Sequence, residues 1–177
     1  MLDAARALLE EDGYPGATIE AIAARSGVAK TTIYRRWPNR TALVVHLLVE
    51  MSNATAPPPA GKDPLLALRT ELRQVAAVAD ALEGRLVGSL VGEAHHDPEV
   101  RTALLQGIFY PRREASAKVI RQAQASGALR RDVPPSVVMD LLFGPLFYRM
   151  LVRHAPPTVA FVNQVFDHVM QGLRPGK

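Results

Sequence analysis

The 177-residue chain contains no cysteine, which excludes disulfide bonds and thiolate-ligated zinc sites. Aromatic residues make up only 6% of the sequence, and leucine, valine and alanine dominate its 48% hydrophobic share, as in helical proteins. The longest nearly apolar segment, residues 137–152, is interrupted by Asp140, Pro145 and Arg149. It falls short of the roughly 20 apolar residues that a membrane span needs. We therefore expect a soluble protein without a membrane partner.

Signals for secretion and for catalysis are also missing. Met1 leads directly into an amphipathic segment with Asp3, instead of a basic stretch followed by an apolar one, so we expect a cytoplasmic protein. The sequence has no Gly-x-Ser-x-Gly elbow, no Gly-Lys-Ser/Thr phosphate loop and no paired carboxylates with a convincing basic partner. We expect neither an enzyme nor a bound cofactor.

The net charge of +4 is distributed unevenly along the chain. Residues 1–24 carry one basic and five acidic side chains, a net charge of −4. Residues 25–40 contain no Asp or Glu and add +5, through Arg25, Lys30, Arg35, Arg36 and Arg40. This concentration of positive charge on one short segment is typical of proteins that bind an anionic polymer.

The segment from Thr18 to Arg40, TIEAIAARSGVAKTTIYRRWPNR, has the pattern of two short helices joined by a turn at Gly27. Thr18 is a candidate N-cap for the first of these helices, and Ala29 or Lys30 begins the second. Small and apolar residues at helical spacing predict a buried face on each helix. Together with the charge, the pattern predicts a helix-turn-helix that binds DNA.

Helical periodicity continues to the end of the chain, and no segment shows convincing strand alternation. Asp63-Pro64 and Asp97-Pro98 each combine an N-cap with proline at the first helical position. We predict an all-α fold of nine helices, with a surface connection at residues 54–62. The fifth helix is expected to reach about Glu83, Pro111 to kink the seventh, and Pro156-Pro157 to start the ninth.

The order of these elements resembles the TetR family of bacterial transcriptional regulators. The family pattern in the head is met by Thr18, Ile22, Ala23, Gly27, Val28, Tyr34, Trp37 and Arg40. More weakly, three segments of the body resemble a widespread C-terminal subclass: DPEVRTALLQGIFYPRREA, SGALRRD and DLLFGPLFYRMLV. The resemblance implies a three-helix DNA-binding head, assigned to residues 1–46, and a ligand-binding and dimerisation body, assigned to residues 47–177.

The chain departs from the family at its start. Members usually carry a basic arm before the first helix, whereas here only Met1 and Leu2 precede Asp3. Either the sequence starts late or the protein relies on the helix-turn-helix motif alone.

Roles at the DNA follow from position, because the leading end of a recognition helix reaches base edges while flanking groups hold phosphates. Lys30 is a candidate donor to guanine, and the methyl groups of Ala29 and Thr31 suit thymine methyls. Tyr34 and Arg35 belong to the next turn. The predicted DNA-binding residues are Thr18, Ala29, Lys30, Thr31, Thr32, Tyr34, Arg35 and Arg40.

One such head contacts few base pairs, so useful specificity requires two heads about 34 Å apart on a twofold axis. We predict a homodimer in which the last two helices pair with their symmetry mates. The predicted interface residues are Val138, Leu142, Leu146, Met150, Val159, Val162, Phe166 and Val169. The alternative is that these stripes form core within one chain.

The resemblance also implies a small-molecule pocket among the fifth to eighth helices. Its candidate lining residues are Leu90, His95, Leu105, Phe109, Tyr110, Phe143, Phe147 and Tyr148. A metal site in EAHHDPE, residues 93–99, is disfavoured, because adjacent histidines on a helix diverge by about 100° and Asp97 serves as an N-cap.

The leading hypothesis is a ligand-responsive dimeric repressor that binds a palindromic operator. The alternative is a small-molecule-binding or catalytic helical protein with a vestigial head, and a nonspecific architectural DNA binder lies between the two.

Overall fold

The computed structural model describes residues 1–54 and 63–174, except for the side chains of Asn53 and Ala54. All regular structure in these residues is helical, which confirms the all-α prediction. The helices are α1 (Leu2–Glu11), α2 (Gly13–Gly16), α3 (Ile19–Ser26), α4 (Lys30–Arg36), α5 (Arg40–Ala54), α6 (Pro64–Ala77), α7 (Leu82–Ala94), α8 (Pro98–Leu104), a π-helical turn (Leu105–Phe109), α9 (Tyr110–Ala125), α10 (Pro135–Val152) and α11 (Val159–Leu173).

The number of helices agrees with the sequence pattern when α8, the π-helical turn and α9 are taken as one helical run. The nine predicted helices are then present in the described residues, together with the single turn α2, which was not predicted. The predicted connection at residues 54–62 lies, apart from Ala54, outside the described residues.

Three boundaries differ from the prediction. The fifth predicted helix ends at Ala77 instead of Glu83, and Leu82 begins the separate helix α7. Leu82 lies seven residues after Val75, a spacing that fits one long helix as well as two. The last helix starts after Thr158, whose side chain accepts a hydrogen bond from the Phe161 N–H at 3.2 Å.

Near Pro111, where a kink is predicted, the structure has a π-helical turn at Leu105–Phe109, immediately before Tyr110. The chain is helical on both sides of this turn, from Pro98 to Ala125. Proline has no N–H to donate to the preceding turn, and both proline and π-helical turns are known causes of kinks in helices.

The chain divides into two compact units. The first unit consists of Met1–Ala54 and Leu82–Phe109, so α7, α8 and the π-helical turn belong with the head. Its single core joins Leu8, Ile22, Ile33 and Leu47 of the head to Leu86, Leu90, Val100 and Leu104. Burial of this shared apolar surface holds the two stretches of chain together.

The second unit contains the described parts of Thr55–Ala81 and Tyr110–Lys177. Helix α6 packs against α9, α10 and α11, and α10 packs against α9 and α11. The buried core of this unit includes Leu68, Leu72, Ile120, Leu142 and Phe166. The predicted boundary between residues 46 and 47 falls inside α5. It stays a prediction of where the DNA-binding part of the chain ends and the ligand-binding and dimerisation part begins.

Candidate nucleic-acid interface

The helix-turn-helix is built by three local features of its sequence. The Thr18 side chain accepts a hydrogen bond from the Ala21 N–H at 3.1 Å and caps α3. Gly27 ends α3 with a φ of 69°, a left-handed conformation that costs glycine little. Ala29, in an extended conformation, precedes the first residue of α4. The predicted cap, turn and helix start are therefore confirmed.

Helix α4 is anchored from one side only. Ile33 is fully buried and Trp37, just after the helix, is 5% exposed, so both belong to the core of the first unit. The remaining side chains of α4 are exposed, and Tyr34 retains 46% of its accessible surface. Six of the eight predicted DNA-binding residues thus lie exposed on one short segment: Ala29, Lys30, Thr31, Thr32, Tyr34 and Arg35.

Two cations of the basic segment, residues 25–40, form ion pairs with acidic residues from earlier helices. Lys30 Nζ lies 3.1 Å from Oε1 of Glu20. Arg25 donates two hydrogen bonds to Glu11, at 2.5 and 2.7 Å. The hydrogen bonds from Arg25 lower the pKa of Glu11. The pKa of Glu20 is lowered most by a hydrogen bond to its own backbone and next by the hydrogen bond from Lys30.

The other arginines differ in how they are held. Arg35 is exposed and makes no ion pair within the described residues, whereas the Arg36 guanidinium lies 4.6 Å from the Trp37 ring centroid. Arg40 donates to the carbonyls of Tyr14 and Pro15, both at 3.2 Å, and lies over the Tyr14 ring. Arg40 thus has a structural role in addition to its predicted role at the DNA.

The start of α5 links the head to the rest of the first unit. Asn39 caps α5 by accepting a hydrogen bond from the Ala42 N–H at 2.8 Å, and its amide lies 3.5 Å from Glu99 at the start of α8. Further along α5, Val45 packs closely on the π-helical turn, since a Cβ atom at Gly107 would come within 2.5 Å of Val45 Cγ1. The head therefore contacts α8 and the π-helical turn of the same unit directly.

Two contributors to this surface were missed by sequence reasoning. Glu20 contributed only to the negative charge of residues 1–24 in the sequence analysis, and its contact with Lys30 depends on how α3 and α4 cross. Asn39 had a local signal that could have identified it, since asparagine just before a helix start is a standard capping residue.

The eight predicted ligand-binding residues are divided between the two units. Leu90, His95, Leu105 and Phe109 lie in the first unit, and Tyr110, Phe143, Phe147 and Tyr148 lie in the second. Leu90 is fully buried in the core, whereas His95, Tyr110 and Tyr148 are exposed. Leu90 therefore has a packing role in this structure, and the ligand-binding roles stay predictions. Asp97, beside the histidines, caps α8 as predicted.

Open grooves occur within the second unit. One of about 560 Å³ lies between α6 and α11 and is lined by residues that include Leu65, Arg69 and Met170. None of the predicted ligand-binding residues lines it. Another groove, of about 500 Å³ between α9 and α10, includes Tyr110 and Met139.

The predicted dimer interface requires a correction. Five of its eight residues are at most 3% exposed within a single chain and form core of the second unit: Val138, Leu142, Leu146, Val162 and Phe166. Their stripe faces inward because it packs against neighbouring helices of the same unit, so the prediction that these five form the outward surface is wrong. Val159 is exposed, and Met150 and Val169 are half-buried.

Helix α10 instead exposes a different set of apolar side chains. We call this set the apolar face of α10, and its members are between 43% and 60% exposed: Val137, Leu141, Tyr148, Leu151 and Val152. Their spacing of three, four or seven residues places them along one side of the helix. By length and mean hydropathy (1.3), α10 is also the one helix among the described residues that qualifies as a membrane span, which alone is weak evidence.

The second unit also contains a buried carboxylate. Glu71 of α6 is 8% exposed, and its two carboxylate oxygens lie 2.8 and 3.0 Å from the Ser116 hydroxyl of α9. That hydroxyl also lies 3.0 Å from the Arg112 carbonyl. Desolvation raises the pKa of Glu71, and the Ser116 hydrogen bond and the Arg112 charge oppose this effect only in part.

Comparison with known proteins agrees with this architecture. Residues 1–47 match the family model of bacterial regulatory proteins of the tetR family, and residues 63–169 match the tetracyclin repressor-like C-terminal domain. The chain therefore belongs to the TetR family and is a helix-turn-helix, DNA-binding transcriptional regulator.

Individual relatives span nearly the whole chain. The uncharacterized HTH-type transcriptional regulator Rv1556 of Mycobacterium tuberculosis is 30% identical over 92% of this chain and 80% of its own length. The DNA-binding transcriptional repressor TetR of Mycobacteroides abscessus is 26% identical over 99% and 93%. The crystal structure of the TetR family regulator SCO0332 matches with a TM-score of 0.83 and 32% identity, over 98% of this chain and 96% of that one.

Proposed function

We propose that this protein is a homodimeric repressor that binds a palindromic operator through α4 and releases it when a small molecule binds. The observation that carries the DNA assignment is the exposed surface of α4, whose opposite side is anchored by Ile33 and Trp37. Its leading end offers Lys30, Thr31 and Thr32 to base edges, and Tyr34 and Arg35 lie beside them for phosphates. The protein then acts by binding and not by catalysis, in the cytoplasm where its DNA lies.

The apolar face of α10 supports the proposed homodimer. Exposed apolar patches of this kind mark interaction sites, and a second copy can cover this one by isologous pairing. Pairing of α10 and α11 with their symmetry mates gives a four-helix arrangement and sets the spacing of the two heads. In this refined proposal Leu141 and Tyr148 replace the buried residues Leu142 and Leu146 at the interface.

Release by a small molecule is supported by the continuous core of the first unit. Because α5 shares this core with α7, α8 and the π-helical turn, a displacement of those helices moves the support of the head. A ligand that binds better to the displaced arrangement lowers DNA affinity by its differential affinity. Four predicted ligand-binding residues, Leu90, His95, Leu105 and Phe109, belong to this unit.

The DNA assignment is tested by selecting bound duplexes from a randomised pool and then measuring affinity for the enriched sequence. Lys30→Ala is expected to relax base preference at one position in each half-site, at a cost of about 1–3 kcal/mol there. Lys118→Ala, which removes an exposed cation from α9, is the matched control and is expected to leave the enriched sequence unchanged.

The outcomes separate the proposed functions. Retention of no duplex favours the alternative of a small-molecule-binding protein with a vestigial head, and binding without an enriched sequence favours an architectural binder. If Lys30→Ala selects the same sequence with the same affinity as wild type, α4 is not the base-reading element. Candidate effectors are found by thermal-shift screening of hydrophobic metabolites and confirmed by loss of operator binding.

A further inference from the structure

The ion pair between Lys30 and Glu20 connects the leading end of α4 to the first turn of α3. Both side chains are exposed, by 53% and 61% respectively, so the pair lies on the surface that faces solvent in the free protein. The basic segment from residue 25 to residue 40 contains no acidic residue. Glu20 is therefore a negative charge that the fold brings to this surface from outside the segment.

Glu20 belongs to the first turn of α3, whereas Lys30 carries its ammonium group on a long side chain. The Glu20 carboxylate also accepts a hydrogen bond from its own backbone N–H, in the first turn of α3, where the helix dipole stabilises negative charge. Lys30 is tethered by a flexible four-carbon chain and can turn to another acceptor. A DNA duplex that approaches α4 thus competes with Glu20 for the Lys30 ammonium group.

The competition has different outcomes for the two kinds of acceptor on DNA. Either contact takes Lys30 from Glu20, but a phosphate also brings its own negative charge close to the Glu20 carboxylate, and the two repel each other. A guanine edge offers two acceptors, O6 and N7, and draws Lys30 into the groove, away from the phosphate backbone. The ion pair therefore opposes phosphate contacts more than base contacts.

From this geometry we infer that Glu20 is a specificity-determining residue, which holds Lys30 away from phosphates and yields it to a base edge of the operator. The inference rests on the proposed base-reading role of Lys30. Its consequence is weaker binding to unrelated DNA, with the operator little affected. A regulator gains from this difference because the genome presents a large excess of competing nonspecific sites.

The test uses the full-length protein with Glu20→Gln, which keeps the size of the side chain and removes its charge. Affinity is measured by fluorescence anisotropy for the selected operator and for a scrambled duplex, over a range of salt concentrations. The variant is expected to bind the scrambled duplex about three- to fivefold more tightly and the operator less than about twofold more tightly. The salt slope for scrambled DNA is expected to steepen by about 1 per protomer, because Lys30 becomes free to contact a phosphate.

Glu10→Gln is the matched control, since Glu10 is another exposed glutamate of the acidic segment and lies on α1. It is expected to change neither the specificity ratio nor the salt slope. A Glu20→Gln variant that behaves like Glu10→Gln overturns the inference. Equal tightening on both duplexes, or weaker operator binding, also overturns it.

The two proposals fail in different ways. In a Lys30→Ala background, Glu20→Gln is expected to leave the salt slope unchanged, and a slope that still steepens overturns the role of the ion pair. If Lys30→Ala alone leaves the selected operator sequence unchanged, the base-reading role of Lys30 fails. A changed operator sequence with Lys30→Ala but no effect of Glu20→Gln removes only the inference about Glu20.

Discussion

Helices α4 and α10 present opposite kinds of surface. α4 buries Ile33 and exposes hydroxyl groups and cations, whereas α10 buries one apolar stripe and exposes another. An exposed polar helix needs no cover and can meet a charged polymer in water. An exposed apolar helix lowers its free energy when another apolar surface covers it. We therefore propose different partners for the two surfaces, DNA for α4 and a second copy of the chain for α10.

The largest expected effect comes from placing a charge on the apolar face of α10. Leu141 is 45% exposed, so Leu141→Glu is expected to leave the protomer folded but to prevent dimerisation, because pairing would bury two unpartnered carboxylates. Loss of the second head removes avidity, and operator affinity is expected to fall by about 100-fold or more. Sedimentation velocity and anisotropy measure the two effects.

The neighbouring residue Leu142 supplies the control. It is 1% exposed and packs in the core, so Leu142→Ala is expected to lower the free energy of unfolding by about 2–5 kcal/mol while the folded protein remains dimeric. A Leu141→Glu protein that stays dimeric would show that the apolar face of α10 is not the interface. The proposed contrast, in which α4 binds DNA and α10 binds a second copy of the chain, would then no longer hold.

The same two helices explain how much could be predicted from the sequence. In the head, apolar residues recur on one face only and the caps are explicit, so Thr18, Gly27 and the start of α4 were placed correctly. In α10, both faces are apolar, so periodicity could not distinguish the inward stripe with Leu142 and Leu146 from the outward one. Three of the four interface residues predicted on α10, Val138, Leu142 and Leu146, consequently lie on the inward face.

The features that escaped prediction depend on contacts between distant residues. The pair of Glu20 with Lys30 and the burial of Glu71 against Ser116 arise where helices cross, and neither has a local sequence signature. The division of the chain into units also follows from packing, since α7 and α8 join the head although they are remote from it in sequence. Local patterns report helix positions and caps, whereas these pairings require the fold.

An intermediate effect is expected for the arginines of α4. Arg35 has no ion-pair partner within the described residues, so Arg35→Ala is expected to weaken operator and scrambled DNA alike, by about tenfold, and to lessen the salt slope by about 1 per protomer. Arg36 lies over the Trp37 ring, so Arg36→Ala is expected to leave the salt slope unchanged. Anisotropy titrations at several salt concentrations measure both, and equal slopes for the two variants would remove the distinction between Arg35 and Arg36.

The smallest effect concerns carboxylates, which also differ between the two units. In the head, hydrogen bonds lower the pKa of exposed Glu11 and Glu20, whereas burial raises the pKa of Glu71 in the second unit. A raised pKa means that the folded state holds the Glu71 proton more tightly than the unfolded chain does. The resulting stabilisation is complete below the unfolded pKa and is lost as the pH rises through the folded pKa.

Glutamine has no such proton to lose. The free energy of unfolding of Glu71→Gln is therefore expected to rise relative to that of wild type as the pH rises from the unfolded pKa of Glu71 through its folded pKa. Urea unfolding at a series of pH values measures the difference in free energy of unfolding. Glu93→Gln, at an exposed position in α7, serves as the control and is expected to show no such gain. A difference for Glu71→Gln that falls with rising pH would mean that Ser116 and the Arg112 charge outweigh desolvation and favour the charged carboxylate. Glu71 would then resemble the head carboxylates, and this contrast between the units would disappear.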